Sequence, residues 1–463
     1  MATSNRKDII DFIVAQEEDV QVNDWQVSGF ELWPIVRIKL FFTLIFALEK
    51  HTSSESTSMR LSLRQKLGIL VDSVFYRISI ALKIKPVKTL YAGFFAHRIS
   101  FKGKSFNRFF DPMLDKENGN GLLMEYERPK TKLDYYEKKR VIEVYRLFPF
   151  FSFTRKGNID IDSSIVSQIK KVIEGASLHF GISLDVNKFL ASLQSDINRV
   201  QVNKELYNFL FKKVKPSTVI CLTYYNPSSM GIIAACKAMG IEVHEMQHGP
   251  QGALHAAYAS WTKVPETGYQ LLPDKFLCWN VSDASEINAW ATSSKHKAIA
   301  FGNPWARYWK EGMASSSYNK WPRNLILYTL QPVDDIFEPY LVETIKALSS
   351  EYQWWIRLHP RQLGERRRIQ EEIDRLDLAS VVNIEDATSL PLPDIMIHSR
   401  VHITKYSGCF LEALEFDVPS VLIDERGVSI FKDYLNSSIV SVVLDHNSGS
   451  LQKVIQDLST NRK

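Results

Sequence analysis

The stretch that decides the fold runs STVICLTYY (217–225), SSMGIIAACKAMG (228–240), EVHEMQH (242–248). Its first and last parts are short β-rich runs. The middle part has apolar residues at helical spacing and stops at Gly240, a residue suited to closing a helix. Strand, helix, glycine, strand is a βαβ unit and predicts a parallel sheet. Further strands are expected at TLYAGFFAH (89–97) and GLLMEYERP (121–129) before it, and at KFLCWN (275–280) after it. The alternation then starts again, with strands at NLILYTL (324–330), YQWWIRLH (352–359), VVNIED (381–386), VHIT (401–404) and PSVLID (419–424). Helices at 337–351, 367–379 and 406–417 fall between them. The two series meet at FGNPWARYWKEGMASSSYNKWP (301–322), which carries Gly, Pro and a Ser cluster. The expected class is α/β, two doubly wound Rossmann-like domains facing each other across a cleft. In such sheets ligands bind at the carboxyl ends of the strands.

The chain has 463 residues, which at about 100–200 per domain gives two or three domains. The boundaries expected are an N-terminal helical segment at 1–60, a first α/β domain at 61–300 and a second at 301–463 with a C-terminal helix. Hydrophobic residues make up 45% and charged residues 24%, which excludes a disordered chain. Lys and Arg exceed Asp and Glu by 57 − 52 = 5. No basic tract of the nucleic-acid kind appears, so no nucleic-acid partner is expected. The four cysteines, at 221, 236, 278 and 409, are widely spaced and form neither a zinc motif nor a disulfide framework.

MATSNRKDIIDF lacks the apolar core of a signal peptide. The longest apolar run, FFTLIFAL (41–48), would rise about 12 Å as a helix, far short of a bilayer core of about 30 Å. A cytoplasmic protein is expected. The helix WPIVRIKLFFTLIFAL (33–48) reads either as buried or as a surface helix that meets the inner face of a membrane through Arg37, Lys39 and its apolar block. HTSSESTSMR (51–60) reads as a Ser/Thr-rich mobile loop.

Three elements carry chemistry. IRLHPR (356–361) runs a strand into His-Pro with an Arg on each side, and Pro360 ends the ladder because it has no N–H to donate. His359 and Arg361 then stand at a strand end, where an imidazole and a guanidinium can grip phosphate; the structural alternative is a histidine that caps its own loop. HITKYSGCFLEAL (402–414) runs from a strand through a polar turn into a helix. Ser407 is a natural N-cap, Gly408 permits close backbone approach, and the helix start suits an anion. The Thr404 hydroxyl adds a donor, and Glu412, one turn in, can reach ribose hydroxyls. In the first half, EMQHGPQGALH (245–255) is an open loop after a strand, with Glu245, His248 and His255 as titratable groups. His248 suits a general base or a phosphate contact; the alternative is a turn histidine.

A His-Pro strand end followed by a strand, a Ser/Thr turn and a helix bearing Glu412 resembles the GT-B glycosyltransferases. Within them it is similar to the bacterial sialyltransferases, Kdo transferases and CDP-glycerol polymerases of capsule and lipopolysaccharide synthesis. Phe301-Gly302-Asn303-Pro304 looks like the glycine-asparagine-proline linker that opens many GT-B nucleotide domains. The resemblance covers roughly 215–430, and Gly408 stands where those families often carry a second Ser. It implies a nucleotide-sugar donor as co-substrate, CMP-linked in the nearest families, and a bacterial surface glycan or lipid-linked glycan as acceptor.

On that reading Arg357, His359, Pro360, Arg361, Thr404, Ser407, Gly408, Glu412 and, after strand 324–330, Gln331 hold the donor. His248 and Glu245 are catalytic. His97, Arg98, Asp111, Glu125 and His255 are candidates for acceptor binding. There is no GxxxxGK(S/T), no GxGxxG and no DxD in a plausible setting, and Asp334-Asp335 is only an adjacent pair. A metal-independent transferase with no cofactor is therefore expected. The alternatives are a CDP-glycerol-type glycerophosphotransferase, a nucleotide-sugar 2-epimerase and a non-catalytic GT-B scaffold.

Overall fold

In the computed structural model, residues 2–48, 62–117, 119–155, 159–249, 251–292, 294–314, 318–332 and 335–461 are described. The Ser/Thr-rich run 51–60 and the Ser cluster of the join at 315–317 lie outside them. The chain divides into two compact units, 1–304 and 305–463.

The first unit is built on seven parallel strands: β1 (Thr89–Gly93), β2 (Gly121–Glu125), β3 (Val141–Ile142), β4 (Thr218–Cys221), β5 (Glu242–Met246), β6 (Lys275–Cys278) and β7 (Lys297–Ala300). The predicted βαβ unit is β4, the helix Pro227–Met239 and β5. Gly240 closes the helix at φ +66°, its N–H meeting the carbonyls of Cys236 and Lys237. Read across the sheet, the strands run β3-β2-β1-β4-β5-β6-β7. This is the Rossmann order 3-2-1-4-5-6 with one strand added, and its switch point lies between β1 and β4.

The second unit carries six parallel strands: β8 (Leu325–Thr329), β9 (Gln353–Arg357), β10 (Val382–Asn383), β11 (Ser399–Thr404), β12 (Ser420–Leu422) and β13 (Val440–Val442). Their order is β10-β9-β8-β11-β12-β13, the same 3-2-1-4-5-6 pattern, with its switch point between β8 and β11. Two Rossmann-like parallel-sheet domains in tandem are the make-up of the GT-B fold.

The helix Trp33–Leu48 is a core element. Trp33, Ile35, Val36, Ile38, Leu40, Phe41, Leu44 and Ile45 are buried in one hydrophobic cluster with the first sheet's Leu90, Met124, Val219 and Val243. Arg37, a residue of the membrane-surface reading, is fully buried. It pairs with Glu17 and donates to the carbonyls of Ala256 at 3.0 Å and Ala259 at 2.7 Å. Lys39 bonds Asp196 at 2.7 Å. Among the described residues no helix is long and apolar enough to cross a membrane.

Candidate functional site

At the switch point of the first sheet, β4 leaves the ladder at Cys221. The next residues turn sharply before the helix, because Asn226 caps it by accepting from the Ser229 N–H at 2.9 Å while Pro227 fills the first turn. The Asn226 amide also donates to the Thr223 carbonyl at 2.8 Å. Closing this turn puts Thr223 at φ +53°, a left-handed conformation that β-branched residues strongly disfavour. Strain of that kind costs on the order of 1–3 kcal/mol and gathers at functional sites. The Thr223 hydroxyl lies 3.3 Å from His248 Nε2, and the Tyr225 hydroxyl lies 3.4 Å from the same atom.

His97, at the end of the turn that follows β1, packs its ring 5.7 Å from that of His248 and 4.2 Å from that of Phe94. The Nδ1 atoms of both His97 and His248 are buried without a hydrogen-bond partner. His255 lies among Phe41, Tyr225 and Tyr258, at 5.3, 5.2 and 5.1 Å between ring centres. All three imidazoles are hard to protonate. Burial holds His97 at about 2, helped by the fields of His248 and Arg108. Burial and then Arg108 hold His248 at about 4. Burial, His248 and Arg6 hold His255 at about 3. At neutral pH the cluster is therefore uncharged. It offers ring faces and two hydroxyls, a surface suited to hydroxyl groups, and it supplies no histidine cation for a phosphate.

Glu245 sits inside β5 beneath this surface and is fully buried. One of its oxygens accepts from the Tyr224 N–H at 3.1 Å and the Tyr258 hydroxyl at 2.8 Å, while the other is unpartnered. Burial pushes its pKa up to about 8, against the pull of those two donors. Arg98, Asp111 and Glu125 come together in a second buried group. Arg98 Nε donates to Glu125 at 2.7 Å, and its guanidinium lies 3.8 Å from Asp111, which also accepts from the Asn107 N–H at 2.6 Å. One cation faces two carboxyls, and burial raises Asp111 to about 7 and Glu125 above its usual range. This group fastens the hairpin Arg98–Asn107 to the sheet edge.

In the second unit, the ends of β8, β9 and β11 carry the predicted donor residues. Arg357 ends β9, and its guanidinium donates to the carbonyls of Ala387 at 2.6 Å and Leu390 at 2.8 Å, where it closes the short helix Glu385–Ser389. His359 follows and caps the turn Pro360–Glu365. Its Nδ1 accepts from the Arg361 N–H at 3.2 Å, and its own N–H donates to Gln362 at 3.1 Å. With Nδ1 an acceptor, the ring proton sits on Nε2. Burial and the Arg361 charge keep the ring below its usual pKa, so His359 presents one neutral N–H donor.

Thr404 ends β11. Its hydroxyl donates to the Thr329 carbonyl at 3.0 Å and accepts from the Ser407 N–H at 3.2 Å, which ties the turn to β8. The Ser407 hydroxyl accepts from the Cys409 N–H at 3.3 Å, and Gly408 occupies the cap position expected of Ser407, because the helix Cys409–Glu415 starts one residue late. Glu412 and Gln331 are buried at this edge. Lys405, also buried, pairs with Glu338 and donates to the Asp335 carbonyl at 3.0 Å, holding the loop after β8 against the end of β11. Gly427 makes this possible. A Cβ there would lie 2.0 Å from the Lys405 carbonyl oxygen.

The sequence pattern had not singled out Thr223, Tyr225, Asn226, Arg108 or Lys405. The Asn226-Pro227 pair is a readable helix start. The others owe their place to the tertiary fold. Among the described residues no group of three or more His, Cys, Asp or Glu is arranged to hold a metal ion.

No family model matches the sequence, and no curated protein matches it. Solved structures do resemble it in three dimensions. A Listeria monocytogenes protein assigned as a UDP-N-acetylglucosamine 2-epimerase is similar at 13% identity and a TM-score of 0.48, over 81% of this chain and 89% of that one. MnaA of S. aureus, solved with UDP, gives 14%, 0.44, 81% and 88%. The glycotransferase of kitacinnamycin gives 11%, 0.44, 81% and 91%. The fold assignment rests on the strand orders described above.

Proposed function

We propose that the chain is an enzyme acting on a nucleotide sugar, and that it transfers the sugar to an acceptor glycan without a metal. The observation that carries the proposal is the strand order of 325–442, with Gln331, His359 and the 404–408 turn at the ends of β8, β9 and β11 around one switch point. The His359 Nε2–H and Arg361 serve the phosphate, the Gly408 N–H at the helix start supports it, and Glu412 serves the ribose. In the first unit, His248 takes the proton of the attacking hydroxyl, with Thr223 and Tyr225 fixing its ring. His97 and His255 line the acceptor's surroundings. The cytidine nucleotides and the surface or lipid-linked glycan are what the resemblance of the sequence motifs to those transferases implies.

A second reading is interconversion of the nucleotide sugar itself, as in a 2-epimerase, the activity named for several of the similar structures. It needs acids near the sugar. Glu245, which lies beneath the histidine cluster with one carboxyl oxygen unpartnered, favours it.

One series of experiments separates these. Thermal shift with CMP, CDP and UDP identifies the base, and no shift with any of them refutes both readings. His359→Ala and Ser407→Ala should each weaken the bound nucleotide about 10- to 100-fold, as expected for one lost charge-assisted contact. Incubating the matching nucleotide sugar without acceptor and following it by NMR then decides. A new epimer establishes the second reading, and product only with added glycan establishes the first.

A further inference from the structure

The helix Leu63–Lys83 carries six large apolar side chains outward. It begins at a capping box, Ser62 N–H donating to Gln65 at 2.8 Å and the Gln65 N–H to Ser62 at 3.3 Å. One side is docked on the first unit. The Ser73 hydroxyl donates to the Leu147 carbonyl at 3.2 Å and accepts from the Phe150 N–H at 3.1 Å. The Arg77 guanidinium lies 4.7 and 4.8 Å over the rings of Phe150 and Phe209, and the Tyr76 hydroxyl accepts from the Glu143 N–H at 2.9 Å.

The opposite side shows Leu63, Leu67, Val71, Phe75, Ile78 and Leu82, spaced by four, four, four, three and four residues. At 3.6 residues per turn they fall within an arc of about 120°. All six are exposed, Leu63 at 84%, Phe75 at 68% and Leu82 at 79%. Phe153, on the neighbouring helix Phe148–Thr154, adds 72%. A continuous apolar stripe of this length marks a surface that something covers.

Charge identifies what covers it. Residues 62–88 hold Arg64, Lys66, Arg77, Lys83, Lys85 and Lys88 against Asp72 alone, 6 − 1 = +5, as large as the surplus of the whole chain. Asp72 is already paired with Arg146 at 2.6 Å. Every one of these cations except Arg77 is exposed. A second copy of the chain on this face would bring two such sets of cations together. An anionic bilayer accepts the apolar stripe and the cations at once, with the helix lying in the plane of the headgroups.

We propose that the helix Leu63–Lys83 seats the protein on an anionic lipid surface. The proposal is independent of the chemistry at the switch points, and its readout is not nucleotide binding. The test is flotation of the whole protein with phosphatidylcholine vesicles, with and without a quarter of phosphatidylglycerol, at low and high salt. Wild type floats with the anionic vesicles at low salt. Leu67→Ser with Phe75→Ser stays at the bottom. Lys66→Gln, Lys83→Gln and Lys85→Gln together bind roughly a hundredfold more weakly, at about fivefold per charge. Because these side chains are exposed, both variants keep the wild-type melting temperature and nucleotide shift, which excludes misfolding as the cause. Wild type that stays at the bottom, or variants that float as wild type does, overturn the proposal. So does a dimer in sedimentation equilibrium that the Leu67→Ser, Phe75→Ser variant splits.

Discussion

Replacing Glu245 by Gln tests whether a neutral acid underlies the histidine cluster. The carboxyl has a reference pKa of 4.5 and is raised to about 8 by burial. A raised folded pKa means that the folded chain holds a proton the unfolded chain has released. The stability tied to that proton is complete below about 4.5 and is lost as pH rises toward 8. At pH 7 the gap to the unfolded value is 2.5 units. At 1.36 kcal/mol per unit this is roughly 3 kcal/mol. Gln keeps the shape and leaves one oxygen to accept from Tyr224 N–H and the Tyr258 hydroxyl, but it has no proton to lose. The stability of Glu245→Gln relative to wild type should therefore rise by roughly 3 kcal/mol between pH 4.5 and 7, and level off above 8. Urea or thermal unfolding followed by circular dichroism across that range measures the difference, and the titrations common to both proteins cancel. A difference that stays flat with pH would show that Glu245 is ionised in the fold, and the account of the buried acid would fail.

His248→Ala should lower kcat about 10²- to 10⁴-fold and leave the Kd of the nucleotide unchanged; a collapse of nucleotide affinity with normal residual turnover would make it a phosphate ligand. Thr223→Asn, a residue that tolerates φ +53° better, should stabilise the chain by up to about 1 kcal/mol while slowing turnover through the lost hydroxyl, and a lower Tm would contradict the strain argument. Gly427→Ala should cost about 2 kcal/mol or more and weaken nucleotide binding, since the Lys405 backbone must move; calorimetry with nucleotide checks both. Turnover should survive EDTA, and full loss restored by Mg²⁺ or Mn²⁺ would overturn the metal-independent mechanism.

The strands at 217–248 were legible because β4 and β5 are short buried runs around a glycine-stopped helix. Their ends were not, since the apolar letters of Leu222 and Tyr224 continue past Cys221, where β4 leaves the ladder. The edge strands β3 and β13 escaped because two or three residues of weak pattern carry no period, and β7 because it buries only Ala298. The shared strand order of the two halves had no trace in a repeat, for order is set by crossover connections and not by letters. His359 was read two ways, as a strand-end donor and as a cap. The bond from the Arg361 N–H to Nδ1 makes these one arrangement, because capping is what leaves Nε2–H as the donor. Arg357 looked like a phosphate grip, but its partners at 387 and 390 are fixed by tertiary packing. Nothing in a threonine's identity announces a left-handed turn, so Thr223 could not be found from sequence.

The buried pair of Glu17 and Arg37 couples distant parts of the chain. Glu17 belongs to the helix Ala2–Asp19, and its carboxylate takes the Arg37 guanidinium, the Trp33 indole N–H at 2.8 Å and the Thr262 hydroxyl at 2.7 Å. Arg37 in turn holds the carbonyls of the 256–260 segment that begins beside His255. An N-terminal deletion through Asp19 would strand a guanidinium in the core with no counter-charge, a loss of about 3–5 kcal/mol, and would release the floor under the histidine cluster. Shortened versions of this protein that begin after the first helix should therefore fail at the histidine cluster, far along the chain from the cut.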